Sequence, residues 1–497
     1  MARALVALAA LANVVSATVV SATINEQEFR AEDIIVTDVA ILGAGSSGTY
    51  AAIRLREDYN LSIAVVEKAD RIGGHTDTYI DVETQKPVDY GVQSFWDYGP
   101  AKSYFARLGI ETMPPPQGAG PTVYVDSETA RNLTDYQIPA FPDILKSIAI
   151  YGNESAKYND MLLPGYWNFP SGDDIPADLL LPYGEFSEKY GIDNDFPMLQ
   201  IIAGVGVGGI RDIPTLYVMG FGLGHPATQG LLQGGLFVPK SGSNSEIYEK
   251  AYARIGNDVL LSSTVVSAAR NDNDEVCLVV QTTDGCRKLI KAKQLLVTAP
   301  PSIENLGSLG LDNQESAVFG SATPRPLQVG LAKISSIPRN YSVQYVSSKV
   351  VPNNYLDMYQ DIKYDLKVQS TGPEDSQLFR TLLETTSDLP LTEEQAKAYI
   401  TSQVQKLAST GTLSDDQHEA EGSVDVEFVA FKSHSSIMWR LPAEDIKAGF
   451  MKNLYALQGH RSMWYTGSLW CTDFSSNVWA FTDTVLERMV GGKKKKN

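Results

Sequence analysis

The chain of 497 residues is 43% hydrophobic and 20% charged, ordinary for a globular protein and long enough for two or three domains with a sizeable core. A net charge of −18 and a pI near 4.8 argue against nucleic acid or an anionic membrane surface as partners. Three cysteines make no disulfide framework, and the histidines show no metal-ligand spacing.

The N-terminus reads as an export signal. Arg3 precedes the apolar run Ala4 to Val15, and Val15-Ser16-Ala17 and Val20-Ser21-Ala22 offer small-residue cleavage sites, so residues 1–22 are expected to direct the chain to the secretory lumen or the medium. That run is too short to span a bilayer, and no later one reaches the roughly 18 residues a span needs. Asn60, Asn132, Asn153 and Asn340 each open an N-x-S/T sequon.

The stretch Asp38 to Thr78 carries the strongest signal. Asp38-Val39-Ala40-Ile41-Leu42 is an apolar run suited to a buried parallel strand, and Gly43-Ala44-Gly45-Ser46-Ser47-Gly48 follows with the G-x-G-x-x-G spacing. Helix formers fill Thr49 to Glu57, and Ser62 to Val66 reads as a second strand ending at Glu67 and Lys68. In such a unit Gly43 permits the tight turn, Gly45 lets backbone approach a pyrophosphate, and Gly48 lets helix pack on strand. The helix N-terminus at Ser46 and Ser47 favours a dianion through its free N–H groups and dipole. Glu67, 19 residues after Gly48, can accept hydrogen bonds from an adenosine ribose and would repel a 2′-phosphate. Strand, helix, second strand and spaced acid together predict dinucleotide binding; the bland alternative is a glycine-tight packing turn.

Arg71-Ile72-Gly73-Gly74-His75-Thr76-Asp77-Thr78 comes next. It resembles the R-x-G-G-R-x-x-S/T doublet of glutathione-reductase-like flavoproteins, especially the flavin amine oxidase and phytoene-desaturase-like families. The resemblance implies FAD, an α/β fold with a Rossmann-like FAD-binding domain and an interleaved substrate domain, and two glycines held against pyrophosphate and ribityl chain. His75 stands where the family usually has a second Arg, so one fixed positive charge is lost. Two roles are open for it: bordering the pyrophosphate, or tethering the flavin 8α carbon as Cys or His does in some relatives.

On the same resemblance the chain returns beside the flavin at Val88-Asp89-Tyr90-Gly91, with Phe95, Trp96 and Tyr98 as core or substrate wall. Beyond residue 100 the chain becomes helix-rich with many prolines. Leu179 to Phe186 reads as a helix, whereas Gly204 to Gly209 repeats the glycine spacing without a second strand or acid. Val259 to Val265 resembles the family's I-x-L-x-x-x-V strand, which makes Val265 the adenine contact. A hairpin is expected at Asp284-Gly285, in a register setting Cys286 opposite Thr283, followed by a strand over Gln294 to Ala299. Pro326 to Ile334 reads as a strand and Leu391 to Leu407 as a capped amphipathic helix.

Lys333 falls near the lysine that holds a water at flavin N5 in many amine oxidases. Met463 to Ser468 resembles the terminal strand and glycine, placing Gly467 and Ser468 at the ribityl or pyrophosphate. Ser475-Ser476-Asn477-Val478-Trp479 should open the closing helix. Its dipole would favour negative charge at flavin N1 and C2=O, with the Val478 amide at that carbonyl. Asn477 takes the place of a tyrosine that forms half of the amine cage in monoamine oxidases, which puts simple primary amines in doubt. Trp464, Tyr465, Trp470 and Trp479 leave aromatic surface for a flat or bulky substrate.

The expected organisation has FAD-domain segments at 35–100, 234–301 and 425–490, and substrate-domain segments at 101–233 and 302–424. The expected activity is hydride transfer from a C–H next to nitrogen, or from an activated C–H, of a small molecule of indole type, with O2 as a candidate acceptor. The closing motif resembles fungal secretory flavoproteins of that kind. Lys333, Asn477 and Trp479 are the weak catalytic candidates. A redox-neutral isomerase or desaturase of a lipid-like substrate, and a non-catalytic nucleotide-fold binding protein, share parts of the pattern.

Overall fold

The computed structural model describes residues 22–24, 27–116, 120–203, 209–220, 224–271, 275–373, 376–385, 391–413 and 426–491. The expected signal segment up to Ser21, the run Gly204 to Gly208 and the terminal lysines lie outside them. Among the described residues no helix is long and apolar enough to cross a membrane.

Two sheets organise the chain. In the first, strands Val259–Leu260, Ile63–Val66, Ile34–Leu42 and Arg287–Val297 lie side by side and parallel, and Met463–Tyr465 pairs parallel with the end of the last. Buried on both faces, the central strands read as near-continuous apolar runs, Val39 to Ile41 and Ile63 to Val66 being almost fully enclosed. Strand Ile34–Leu42 begins four residues before the expected Asp38. An antiparallel meander, Ser263–Arg270 and Val276–Thr282, completes the sheet. Its hairpin differs from expectation by one residue: Thr282 N bonds Cys286 O at 3.0 Å around a loop with Gly285 at φ +87°. Cys277 faces Lys291 across the ladder, and both Cys277 and Cys286 are free.

The second sheet takes the order Val426–Arg440, Thr323–Ile334, Leu378–Thr385, Tyr364–Ser370, Ser342–Val346, Thr122–Asp126. Helix Glu393–Ser409, capped by a reciprocal Thr392–Gln395 box, lays Ala396, Ile400, Val404 and Leu407 on one face of it, against Leu366, Val368, Phe379 and Leu383. The other face looks toward the first sheet. Proline shapes the helical segment between them: the expected helix over Leu179 to Phe186 is two short ones, Ala177–Leu180 and Tyr183–Tyr190, separated at Pro182.

Candidate functional site

The first glycine turn sits at the carboxyl end of strand Ile34–Leu42, where helix Ser46–Ile53 begins. Gly43 adopts φ +102°, a conformation open to glycine, and a Cβ there would lie 2.8 Å from Thr298 Oγ1. Glu67 braces the turn from the next strand: its Oε2 accepts from Ala44 N at 2.7 Å and its Oε1 from Ala69 N at 2.9 Å. A carboxylate has about four acceptor positions, so room remains for ribose hydroxyls.

The second turn docks on the first. Gly73 N donates to Ala44 O at 2.9 Å, and a Cβ on Gly74, at φ +55°, would lie 3.0 Å from the Gly45 Cα. Arg71 closes this turn on itself, donating to Ile72 O and Gly74 O at 3.1 Å each and pairing with Asp77. Lys68 is exposed at its rim. His75 keeps exposed surface, although protein packed around its ring desolvates it. Burial and the neighbouring His434 ring push its pKa down to about 3, with Lys68 and Arg71 adding and Asp77 opposing.

Two remote segments complete the ring. Ser262 N and Ser263 N bond Ala69 O at 2.8 Å and Glu67 O at 2.9 Å, which sets the strand of buried Val265 alongside Glu67. Gly467, at φ +114°, directs its missing Cβ at Ser47 Oγ, 3.6 Å away, and half-buried Ser468 follows it. The hydroxyls of Ser46, Thr76 and Tyr248 are buried here without a hydrogen-bond partner, the Tyr248 hydroxyl lying toward the other two. Such groups cost roughly 1–3 kcal/mol each when unpaired. Orphaned hydroxyls in a cradle of side-chain-free glycines fit a polyhydroxylated, diphosphate-bearing cofactor.

The closing helix, Ser475–Met489, corrects two expectations, and strand Thr323–Ile334 corrects a third. Val478 N donates to Phe474 O at 2.9 Å, so the amides that precede the first intrahelical bond are those of Ser475, Ser476 and Asn477. Trp479 is fully buried and packed, not a substrate wall. Its ring stacks on Phe95 at 5.6 Å and 11°, and its Nε1 donates to Ser46 O at 3.2 Å. Lys333 is not brought to the site at all: its ammonium pairs with Glu83 at 2.7 Å on the surface.

Two cavities flank the loop that leads into this helix. Trp96, Tyr98, Leu163, Pro226, Ala227 and Asn477 line one. Tyr166, Tyr217, Trp439, Met451, Cys471 and Asp473 line the other. The indole N–H groups of Trp96 and Trp439 are buried without partners, and burial pushes the Cys471 thiol well up, which keeps it protonated. Sequence reasoning missed Asp77, Tyr248, Arg380 and His434. Of these only Asp77, six residues after Arg71, had a local signal, as the partner that closes the turn.

Comparison with known proteins agrees with this geometry. Residues 41–108 match the model of the NAD(P)-binding Rossmann-like domain. The chain is 32% identical over 464 residues to FAD-dependent oxidoreductase pigF of Monascus ruber, covering 93% of each. It is 30% identical over 469 residues to the β-cyclopiazonate dehydrogenase of Aspergillus flavus, covering 92% of this chain and 94% of that one. Among solved structures its fold is shared with a CLA-producing fatty acid isomerase from P. acnes, with a TM-score of 0.67, 18% identity and coverage of 91% and 98%. A putrescine oxidase follows at 0.60, with 14% identity and coverage of 92% and 100%. With the cofactor cradle, these matches lead to one conclusion: the chain is an enzyme of the FAD-dependent oxidoreductase family that includes pigF and β-cyclopiazonate dehydrogenase.

Proposed function

We propose that this enzyme takes a hydride from a C–H next to nitrogen, or from another activated C–H, of a flat, bulky secondary metabolite of indole type, and that O2 reoxidises the cofactor. The observation that carries this reading is the cluster of aromatic side chains, Tyr166, Tyr217 and Trp439, around the loop into the closing helix, with Asn477 rather than an aromatic ring in that helix's first turn. FAD, when bound, supplies a two-electron acceptor. The chain's own residues do the rest. The two glycine turns and Glu67 fix the cofactor's nucleotide half, and the amides of Ser475, Ser476 and Asn477 favour negative charge at its other end. The unpaired indole N–H groups of Trp96 and Trp439 offer donors to a substrate carbonyl or π-face. The β-cyclopiazonate dehydrogenase among the relatives supports a metabolite of this class.

A secretory location belongs to the same proposal. The sequon asparagines Asn60, Asn132, Asn153 and Asn340 are all exposed, as glycan acceptors must be. A shift in gel mobility after glycan removal from the cultured protein is the expected result; an unshifted band together with an uncleaved N-terminus would end that part.

The activity is tested by anaerobic mixing of purified holoenzyme with β-cyclopiazonate and other prenylated indoles, following absorbance near ~450 nm, the band of the cofactor. Bleaching that reverses in air is expected. Bleaching by simple primary amines alone would overturn the substrate class. A product of unchanged oxidation state would replace the proposal with an isomerase.

A further inference from the structure

One contact joins the substrate sheet directly to the cofactor turn. In strand Val426–Arg440, His434 lies opposite Leu327, and on the neighbouring pair Arg380 lies opposite Leu331. Four residues apart on one strand, Leu327 and Leu331 share a face, so His434 and Arg380 leave the sheet together, toward the FAD domain. Arg380 donates to Tyr90 O at 2.8 Å and Gly91 O at 3.2 Å. Val92 N in turn donates to His75 O at 3.3 Å, and a Cβ on Gly91 would lie 2.2 Å from that same oxygen. His434 goes further. Its ring stacks on His75 with centroids 4.3 Å apart and planes at 25°, while its Nε2 lies 3.1 Å from Asp77 Oδ2.

We infer that His434 is a positioning residue for the cofactor: from the substrate sheet it clamps His75, the first side chain after the second glycine turn, ring against ring, with Asp77 fixing the clamp's tautomer. Burial pulls the Asp77 pKa upward, but the His434 hydrogen bond and the Arg71 charge outweigh it and hold the acid below its usual range. An ionised carboxylate only accepts, so His434 Nε2 carries the hydrogen of this contact. Two stacked imidazoles cannot both carry charge cheaply, which adds to burial in keeping His75 neutral.

Among the described residues, four titratable or charged side chains act on His75. Lys68, Arg71 and Asp77 come from its own loop and His434 from the substrate strand, with the backbone of Gly91 and Val92 on the remaining side and Arg380 behind it. The arrangement replaces a permanent cation beside the cofactor with a ring whose charge is suppressed by desolvation first and by its neighbour second. The consequence is a flavin whose reduction is not coupled to a histidine proton near neutral pH.

The inference rests on the FAD assignment, for which the flavin spectrum of the unmodified holoenzyme is the separate control. The test is the midpoint potential of the bound flavin, read by equilibrium reduction against a reference dye from pH 5.5 to 8.5, in the unmodified protein, His434→Ala, His434→Phe and His434→Gln. With His434→Ala, His75 is expected to titrate inside the window, seen as up to one additional proton taken up per flavin reduced. Phe keeps a stacked ring without the Asp77 bond, and Gln keeps a donor to Asp77 without the ring. Partial return toward the unmodified slope in either identifies which contact does the positioning, and both outcomes support the clamp. If every variant keeps the unmodified potential and slope while losing only thermal stability, His434 is packing and the inference fails. Should the Ala variant not fold, the Phe and Gln variants decide by the same measure.

Discussion

The Gly48 Cα stands so close to the Gly43 carbonyl that a Cβ on Gly48 would lie 2.1 Å from its oxygen and 2.6 Å from Thr298 Oγ1. The contact partner is backbone, which cannot swing away. Gly48→Ala must therefore push the helix off the strand, at a cost of about 1–3 kcal/mol, typical of overpacking. The expected result is a protein that folds with a lower melting temperature and loses most of its FAD on gel filtration. Full retention of yellow colour would contradict the tight helix–strand approach.

Trp479 ties the closing helix to the first glycine turn. Its ring fills the space among Tyr50, Phe95 and Tyr104, and its N–H holds the Ser46 carbonyl. Trp479→Ala should cost about 3–5 kcal/mol, as for other buried aromatic truncations. Trp479→Phe keeps the packing, loses one hydrogen bond and should cost about 1 kcal/mol. Urea unfolding with a matched flavin titration checks both. A cost for the alanine change below that of the phenylalanine change would place Trp479 outside the core.

Lys333 separates this chain from amine oxidases that use a lysine near N5. Its pairing with Glu83 at the surface gives it no path to the cradle. Lys333→Met is expected to leave the rate of anaerobic flavin reduction within about twofold of the unmodified enzyme, since surface ion pairs are weak. A fall of a hundredfold would show that the side chain reaches the reacting centre.

Arg270 and Glu315 form an ion pair with both side chains fully enclosed, Arg270 Nη1 lying 2.8 Å from Glu315 Oε1, and it joins the meander to helix Asn313–Ser321. Glu315→Ala leaves a buried guanidinium uncompensated and should cost about 3–5 kcal/mol. The pair also sets a pH limit. Burial raises the Glu315 pKa, but the Arg270 hydrogen bond and charge outweigh it and hold the pKa below the usual value. A depressed acid stabilises the fold above its unfolded pKa, about 4.3, and that part is lost as pH falls through the lower folded value. Melting temperature followed from pH 6 to 3 should therefore drop more steeply in the unmodified protein than in Glu315→Ala. Equal slopes would refute the linkage.

The cofactor unit was readable because its information is local. Gly43, Gly45 and Gly48 fall within six residues, the positive φ at Gly43 and the Gly48 contact are demands of a single turn, and Glu67 is held to it by the neighbouring parallel strand. The apolar runs fixed the strands, and the Thr392 box fixed a helix start, since period and capping act over a few residues. Long-range contacts left no such trace. His434 meets Asp77 across 357 residues of sequence, and nothing in the pattern around a lone histidine marks which face of its strand it leaves. The helix starts at Ser475 as expected, but with Phe474 as its cap the Val478 N–H is already spent on the Phe474 carbonyl, a detail of cap geometry that spacing alone does not show. Trp479 and Lys333 are the plainest cases: an aromatic or a lysine reads the same in sequence whether it lines a cavity, fills a core or meets an acid at the surface. The sequence by itself determined the dinucleotide unit, through short-range backbone geometry, while FAD followed from the resemblance of its second glycine turn to a flavoprotein family. Tertiary structure alone decided which side chains surround the cofactor, because only packing of distant segments sets their burial, partners and charge.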